Sequence, residues 1–281
     1  MTESLCRMAE TRYGIKPDPD DIEKLKNHLK NITGSPIDSN VFERFFSSGE
    51  AASFLTVNET YFFREPAHFL LLREMLPSFN QSMVRICSAA SSVGCEAYSI
   101  AMLMDMYNRT SDKTLDYQID AFDINPNVIE TAHAGIYGLN SIREDGSNFN
   151  YLSDTYLEKK DYKIYIDHKL KNNINFFVHN LLDEHKINFF DVIFFRNAFI
   201  YILPDYREKV LTNLVNALKE NGILIMGVSE TAGVNHHHLE QKIKQLMPQK
   251  EEIFFFQKNS VKKPALPDYL KNTLLKDSVP A

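Results

Sequence analysis

Apolar positions change their period near residue 80. Before that point they recur at three- and four-residue intervals. Ile22, Leu25, Leu29 and Ile32 fall on one predicted helical face, with Lys24, Lys26 and Lys30 elsewhere on the same helix. Asp20 or Asp21 supplies its cap, and Thr33-Gly34-Ser35-Pro36 its stop. Residues 41–46 predict a second helix with an aromatic face, and no strand pattern precedes residue 80. After it, short apolar runs bounded by small or polar residues alternate with helical patterns. Strands are predicted over 84–87, 117–122, 174–178, 191–195, 223–227 and 253–256. Helices are predicted over 96–107, with Ile100, Leu103, Met104 and Tyr107 buried, and over 128–134 and 206–218. This alternation predicts an α/β fold with a largely parallel, doubly wound sheet. Tyr162-Lys163-Ile164-Tyr165-Ile166-Asp167-His168-Lys169-Leu170 alternates with period two and reads as a small antiparallel insertion.

The divisions that follow are a helical domain at 1–55, a linker and connecting helix at 56–80, an α/β domain at 81–260 with an inserted β-subdomain at 149–176, and a tail at 261–281. The chain has 281 residues, 44% hydrophobic and 24% charged, enough for one large domain and a smaller one. A net charge of −6 at pH 7 argues against a general nucleic-acid binder. Three cysteines, Cys6, Cys87 and Cys95, are too few for a disulfide framework and fit a reducing compartment. No apolar run is long enough to cross a membrane, and the first residues show no secretory signal, so a cytoplasmic location is expected. His236-His237-His238 do not share a helical face, and no cysteine or carboxylate set at metal-ligand spacing accompanies them, so no metal site is expected.

Ligands of an open parallel sheet bind beyond the carboxyl ends of its strands. After the first strand come Ala89 and a run of small residues, then Gly94, Cys95 and Glu96 at a helix start. Small side chains let backbone approach a ligand, and the helix start offers free N–H groups. Asp123 follows the second strand, where a carboxylate can take hydrogen bonds from ribose hydroxyls. Asn180, Leu181 and Asp183 follow the third, and Arg196 and Asn197 the fourth. Neither G-x-x-x-x-G-K-[ST] nor G-x-G-x-x-G is present, so the set suits a nucleoside without phosphates. Each residue alone also fits a turn or a cap; the four loops together point to a site.

Leu55-Thr56-Val57-Asn58-Glu59-Thr60-Tyr61-Phe62-Phe63-Arg64-Glu65 resembles the interdomain signature of CheR-type chemotaxis receptor methyltransferases. The match continues in order through residues 88–100, Ala121-Phe122-Asp123-Ile124-Asn125, Gly135-Ile136-Tyr137, Asn180-Leu181-Leu182, Arg196-Asn197-Ala198-Phe199-Ile200-Tyr201 and Gly227-Val228-Ser229-Glu230. It covers roughly residues 15–258. The resemblance implies an S-adenosyl-L-methionine (SAM) dependent protein-glutamate O-methyltransferase, yielding S-adenosyl-L-homocysteine. It implies a Rossmann-like SAM-dependent methyltransferase domain joined to a small helical N-terminal domain and carrying an inserted antiparallel β-subdomain. Cofactor contacts are implied from Asn58, Thr60 and Arg64, from Ala89, Gly94 and Glu96, from Asp123, and from Asn180, Leu181, Arg196 and Asn197. Arg64, Arg196 and Tyr201 are the candidates for orienting the acceptor carboxylate, with a core aromatic as the alternative for Tyr201.

Cys95 and Ala97 stand where that family often has Glu and Pro. Cys95 is either a reactive thiol at a helix start or a packing residue. The implied partner is the cytoplasmic domain of a chemoreceptor, with no nucleic acid and no stable membrane insertion. Lys24, Lys26 and Lys30 either face an acidic receptor helix or form a solvated face. Some members of the family tether to a receptor C-terminal pentapeptide through a glycine-containing loop of the β-subdomain. Residues 156–162 here hold no glycine, so no tether is expected. A SAM-binding sensor or scaffold, or a methyltransferase of another protein acceptor, remains the alternative; no N-P-P-Y motif follows the fourth strand to favour an amine acceptor.

Overall fold

In the computed structural model, which describes residues 2–34, 39–81, 83–227, 230, 243–246 and 254–258, four helices precede the linker: α1 (Thr2–Tyr13), α2 (Pro19–Thr33), α3 (Ser39–Ser47) and α4 (Ala52–Leu55). They enclose their own core of Leu5, Ala9, Ile22, Leu25, Leu29, Phe46 and Ala52. The cap of α2 is Asp18, not Asp20 or Asp21. Its carboxylate accepts from the Asp20 amide at 2.9 Å, and Pro19 takes the first helical turn, where a missing N–H costs nothing. Gly34 closes the helix with its amide on the Lys30 carbonyl at 2.8 Å. Ile32 lies beyond the buried stripe and is 54% exposed, a correction to the predicted face.

A linker leads into α5 (Pro66–Met75) and then a seven-stranded sheet ordered β6-β2-β1-β7-β8-β10-β9. Its strands are β1 (Met83–Ala89), β2 (Asp116–Asp123), β6 (Ile174–Val178), β7 (Phe190–Phe195), β8 (Leu218–Met226), β9 (Ile243–Leu246) and β10 (Phe254–Lys258). The first five strands across the sheet run parallel, and β10 is antiparallel to both neighbours. Alternate side chains feed two cores. Val192 and Phe194 join Ile86, Ile119 and the helices α5 and α6 (Cys95–Thr110); Ile193 and Phe195 join Leu224 and α10 (Pro204–Ala217) on the other face. Ile100, Leu103 and Met104 are buried as predicted, and Tyr107 is partly buried.

The alternating run is shorter as a strand than its period suggests, and the insertion reaches back to Ile136, ahead of the predicted 149–176. β3 (Ile136–Gly138), β5 (Lys163–Ile166) and β4 (Leu157–Lys160) form a three-stranded antiparallel sheet; α7 (Pro126–Ala134) precedes it in sequence and α8 (Asn150–Tyr156) lies between β3 and β4. The alternating run stops at Asp167, whose carboxylate accepts from the Lys169 amide at 3.0 Å and starts the one-turn α9 (His168–Lys171). β8 begins five residues earlier than predicted, because Asn221-Gly222 sits within an irregular stretch of the strand and not before it. His236–His238 and the tail at 261–281 lie outside the described residues. No described helix is long and apolar enough to cross a membrane.

Candidate active site

At the carboxyl edge of the sheet the linker and the strand ends surround a cleft of about 1090 Å³, open solvent included. Ten of the residues singled out from sequence line it: Asn58, Thr60, Arg64, Glu96, Asp123, Asn180, Leu181, Arg196, Asn197 and Tyr201. Ala89 and Gly94 do not. Ala89 is buried inside β1. Gly94 serves the fold: its φ is +86°, and a Cβ there would meet Ala132 Cβ and the Phe176 ring at 2.9 Å. The loop between them contributes backbone to the cleft, because Ala90 and Ser92 take left-handed conformations at φ 58° and 49°.

Asp123 ends β2 as a buried carboxylate with amide partners only. The Ser92 amide donates to one oxygen at 2.9 Å and the Asn125 amide to the other at 3.0 Å. Burial raises its pKa against the opposing pull of these amides. An acceptor with capacity left faces the cleft, as a ribose diol requires.

Arg196 is placed differently from the expectation that it orients an acceptor. Its side chain is buried, and its charge is committed. One Nη donates to Glu96 Oε2 at 2.9 Å; the other donates to the Arg64 carbonyl at 2.6 Å and lies 3.3 Å from Glu65 Oε2. The guanidinium also covers the Phe69 ring. Two carboxylates already answer this cation, so it organises the wall and is not free for an incoming anion. Glu65 is the residue the sequence reading missed. It sits at the start of α5 in a left-handed conformation, φ 56°, and accepts from Asn197 Nδ2 at 2.9 Å. Burial raises its pKa, but the Arg196 charge and the Asn197 hydrogen bond outweigh that and leave it below the ordinary value. His68 is buried beside both, and burial with the Arg196 charge pushes its pKa down to about 3, so its ring is neutral. Glu96 completes the group by accepting from Ser88 Oγ at 2.7 Å.

The mouth carries the accessible polar groups. Arg64 donates to the Glu59 carbonyl at 2.8 Å and keeps 27% of its side chain exposed. Tyr201 is 42% exposed beside it, which removes the core-aromatic alternative. Val57 and Ile200 stand at the same mouth at 60% and 50% exposure. Asn180 lines the cleft, yet its amide group is partly spent elsewhere: Nδ2 donates to the Arg12 carbonyl at 2.6 Å and Oδ1 accepts from the Leu182 amide at 3.0 Å. Cys95 is fully buried, and burial pushes its thiol pKa up, which settles it as a packing residue.

The chain matches the family model of the CheR methyltransferase SAM binding domain over residues 58–247. It is 33% identical over 186 residues to a chemotaxis protein methyltransferase of Vibrio parahaemolyticus, covering 64% of this chain and 67% of that protein. It is 33% identical over 204 residues to a probable chemotaxis protein methyltransferase of Rhizobium etli, covering 69% and 75%. It is 32% identical over 221 residues to the chemotaxis protein methyltransferase of Escherichia coli, covering 76% and 72%. The chain belongs to the CheR family of SAM-dependent methyltransferases, and every lining residue of the cleft from Asn58 onward falls within the matched domain.

Proposed function

We propose that this cleft binds SAM and that the chain forms methyl esters on glutamates of the cytoplasmic helices of chemoreceptors, tuning chemotactic adaptation. The carrying observation is that one cleft joins the buried Asp123 carboxylate to the exposed Arg64–Tyr201 mouth. The lining fits the cofactor. Asp123 keeps acceptor capacity for the ribose, the Ala90–Ser92 backbone gives close approach, and Glu96 offers a carboxylate to an ammonium group. Neither a lysine nor a phosphate-binding loop lines it.

When bound, SAM supplies an electrophilic methyl group on a sulfonium. An acceptor glutamate is ionised at neutral pH and needs no general base. The chain therefore has to orient the acceptor and exclude water. Arg64 and Tyr201 present a cation and a hydroxyl at the mouth for the acceptor carboxylate. Arg64 is partly exposed, so its attraction is moderate; a deeply bound carboxylate would be stabilised more in the ground state than in a transition state where charge is cancelling. Arg196 is a positioning residue, holding Glu96 and the Arg64 backbone in register through the contacts above. The same reading makes the protein cytoplasmic, with no nucleic-acid partner. No receptor pentapeptide tether is expected, since the β4–β5 turn is Asp161-Tyr162, both with positive φ and neither a glycine.

Transfer of label from methyl-labelled SAM to receptor-containing membranes, followed by alkali, tests this. Label released as methanol is expected. Incorporated but base-stable label would mean an amine or other acceptor. Cofactor binding without any incorporation would favour a sensor.

A further inference from the structure

Arg64 stands between two residues held in left-handed backbone. Phe63 and Glu65 have φ 55° and 56°, and neither is a glycine. Such backbone persists only where its surroundings over-determine it. Part of the hold comes from residues 139–149, the segment of the insertion between β3 and α8. The Phe62 amide donates to the Ser141 carbonyl at 2.9 Å. The Phe149 ring stacks on Phe63 at 4.6 Å, with the planes 13° apart. Gly146 lets the two backbones meet: a Cβ there would lie 3.1 Å from the Phe62 carbonyl oxygen.

Side chains of the same segment reach the mouth. Arg143 Nη2 donates to Glu59 Oε1 at 2.8 Å, and its guanidinium lies 4.2 Å from the centre of the Tyr61 ring. The Tyr61 hydroxyl donates to Asp145 Oδ2 at 2.6 Å. Glu59 is also the residue whose carbonyl accepts from Arg64, and the Arg64 guanidinium lies 5.7 Å from the Tyr61 ring centre. Two of the groups that fix the direction of Arg64, the Glu59 carbonyl and the Tyr61 ring, are therefore themselves held by Arg143 and Asp145. Arg143 does not line the cleft, and 43% of its side chain is exposed. An ion pair this exposed adds little to stability, so its effect is on direction.

We propose that Arg143, from the insertion, is a positioning residue for methyl transfer: through Glu59 and Tyr61 it sets the direction of Arg64, and so the angle at which the acceptor carboxylate enters. The inference rests on the reading of Arg64 as the group that meets the acceptor. It gives the insertion a part in the chemistry without a contact to cofactor or acceptor, since a small misdirection of an orienting group is costly to the rate.

Two measurements on the full chain test it. Methyl transfer from labelled SAM to receptor-containing membranes gives kcat and the acceptor KM. Arg143→Ala is expected to lower kcat about tenfold, with acceptor KM and S-adenosylhomocysteine affinity within about twofold of wild type. Arg143→Lys keeps a cation for Glu59 and should recover part of the loss. The second measurement needs no receptor: the rate at which phenylglyoxal modifies Arg64, read by peptide mass spectrometry. It should be several-fold faster in Arg143→Ala, where Arg64 is no longer held. An unchanged kcat in Arg143→Ala would overturn the proposal. So would a raised KM at normal kcat, which would mark Arg143 as a receptor contact. An unchanged Arg64 modification rate would overturn it as well. Wild type that binds S-adenosylhomocysteine yet transfers nothing to receptor would overturn the receptor reading, and the modification rates would still decide whether Arg143 holds Arg64.

Discussion

Replacing Arg196 with Met should separate its charge from its packing. Met keeps an unbranched chain of similar reach against Phe69 and removes the cation. Glu96, at 14% side-chain exposure, then loses its counter-ion, and Glu65, at 34%, keeps only Arg64 at 3.9 Å. Breaking a buried pair costs ~3–5 kcal/mol. Water shares part of the load at Glu65, so the lower end, about 3 kcal/mol, is expected. For a chain of this size that corresponds to a melting temperature about 6–12 °C lower. The pH dependence carries the diagnosis. In wild type the Glu65 pKa lies below the ordinary value, so its contribution is present above that ordinary value and is lost as pH falls through the lowered one. In the variant burial is no longer outweighed by Arg196, the folded state binds the proton more tightly, and stability rises on acidification. The gap between the two proteins should therefore shrink from about pH 7 to about pH 5. Adding Glu65→Gln to Arg196→Met should recover part of the loss. Denaturant melts of the three proteins across that range give the answer. A loss under about 1 kcal/mol, or one constant with pH, would refute the account of Arg196 as the neutralised centre of the wall.

Asp123→Ala should weaken S-adenosylhomocysteine about ten- to hundredfold by calorimetry, the worth of a hydrogen bond to a charged group. Because burial raises the Asp123 pKa, acidification should strengthen its contribution to the unliganded fold while weakening cofactor binding, which needs the carboxylate. Gly94→Ala forces a methyl group to within 2.9 Å of Ala132 and Phe176 at a positive φ, and should cost about 3 kcal/mol in a denaturant melt. A thiol reagent should modify Cys6 readily in the native protein and reach Cys87 and Cys95 only after unfolding, since Cys6 is partly exposed and both others are buried with raised pKa values.

Six of the seven strands of the central sheet were legible because each is a short apolar run ending in small or polar residues, and β7 is buried at all six positions; β9 was not predicted. Knowing where strands end gave most of the cleft, since the switch-point rule gathers the loops without any knowledge of side-chain direction. Direction is what escaped. Arg196 and Tyr201 lie in one motif, yet one turns into the wall and the other to the mouth, and periodicity cannot separate them after a strand has ended. Glu65 was missed because its neighbours through space, Asn197 and Arg196, are brought to it only by tertiary packing. The early start of β8 and the short β3 lay below the length at which alternation is informative.

The position of β1 has a consequence for how the protein is made. β1 is hydrogen-bonded to β2 on one edge and β7 on the other, and β7 follows only after the whole inserted subdomain and β6. On the ribosome, β1, β2 and β6 can pair as soon as they emerge, but the other edge of β1 stays open until residues 190–195 arrive. The strand that covers it, β7, is buried at all six positions in the folded protein. A nascent chain halted before Phe190 thus presents a ready-made template for misassembly, and translation past β7 both removes that hazard and delivers Arg196 and Asn197 to the cleft.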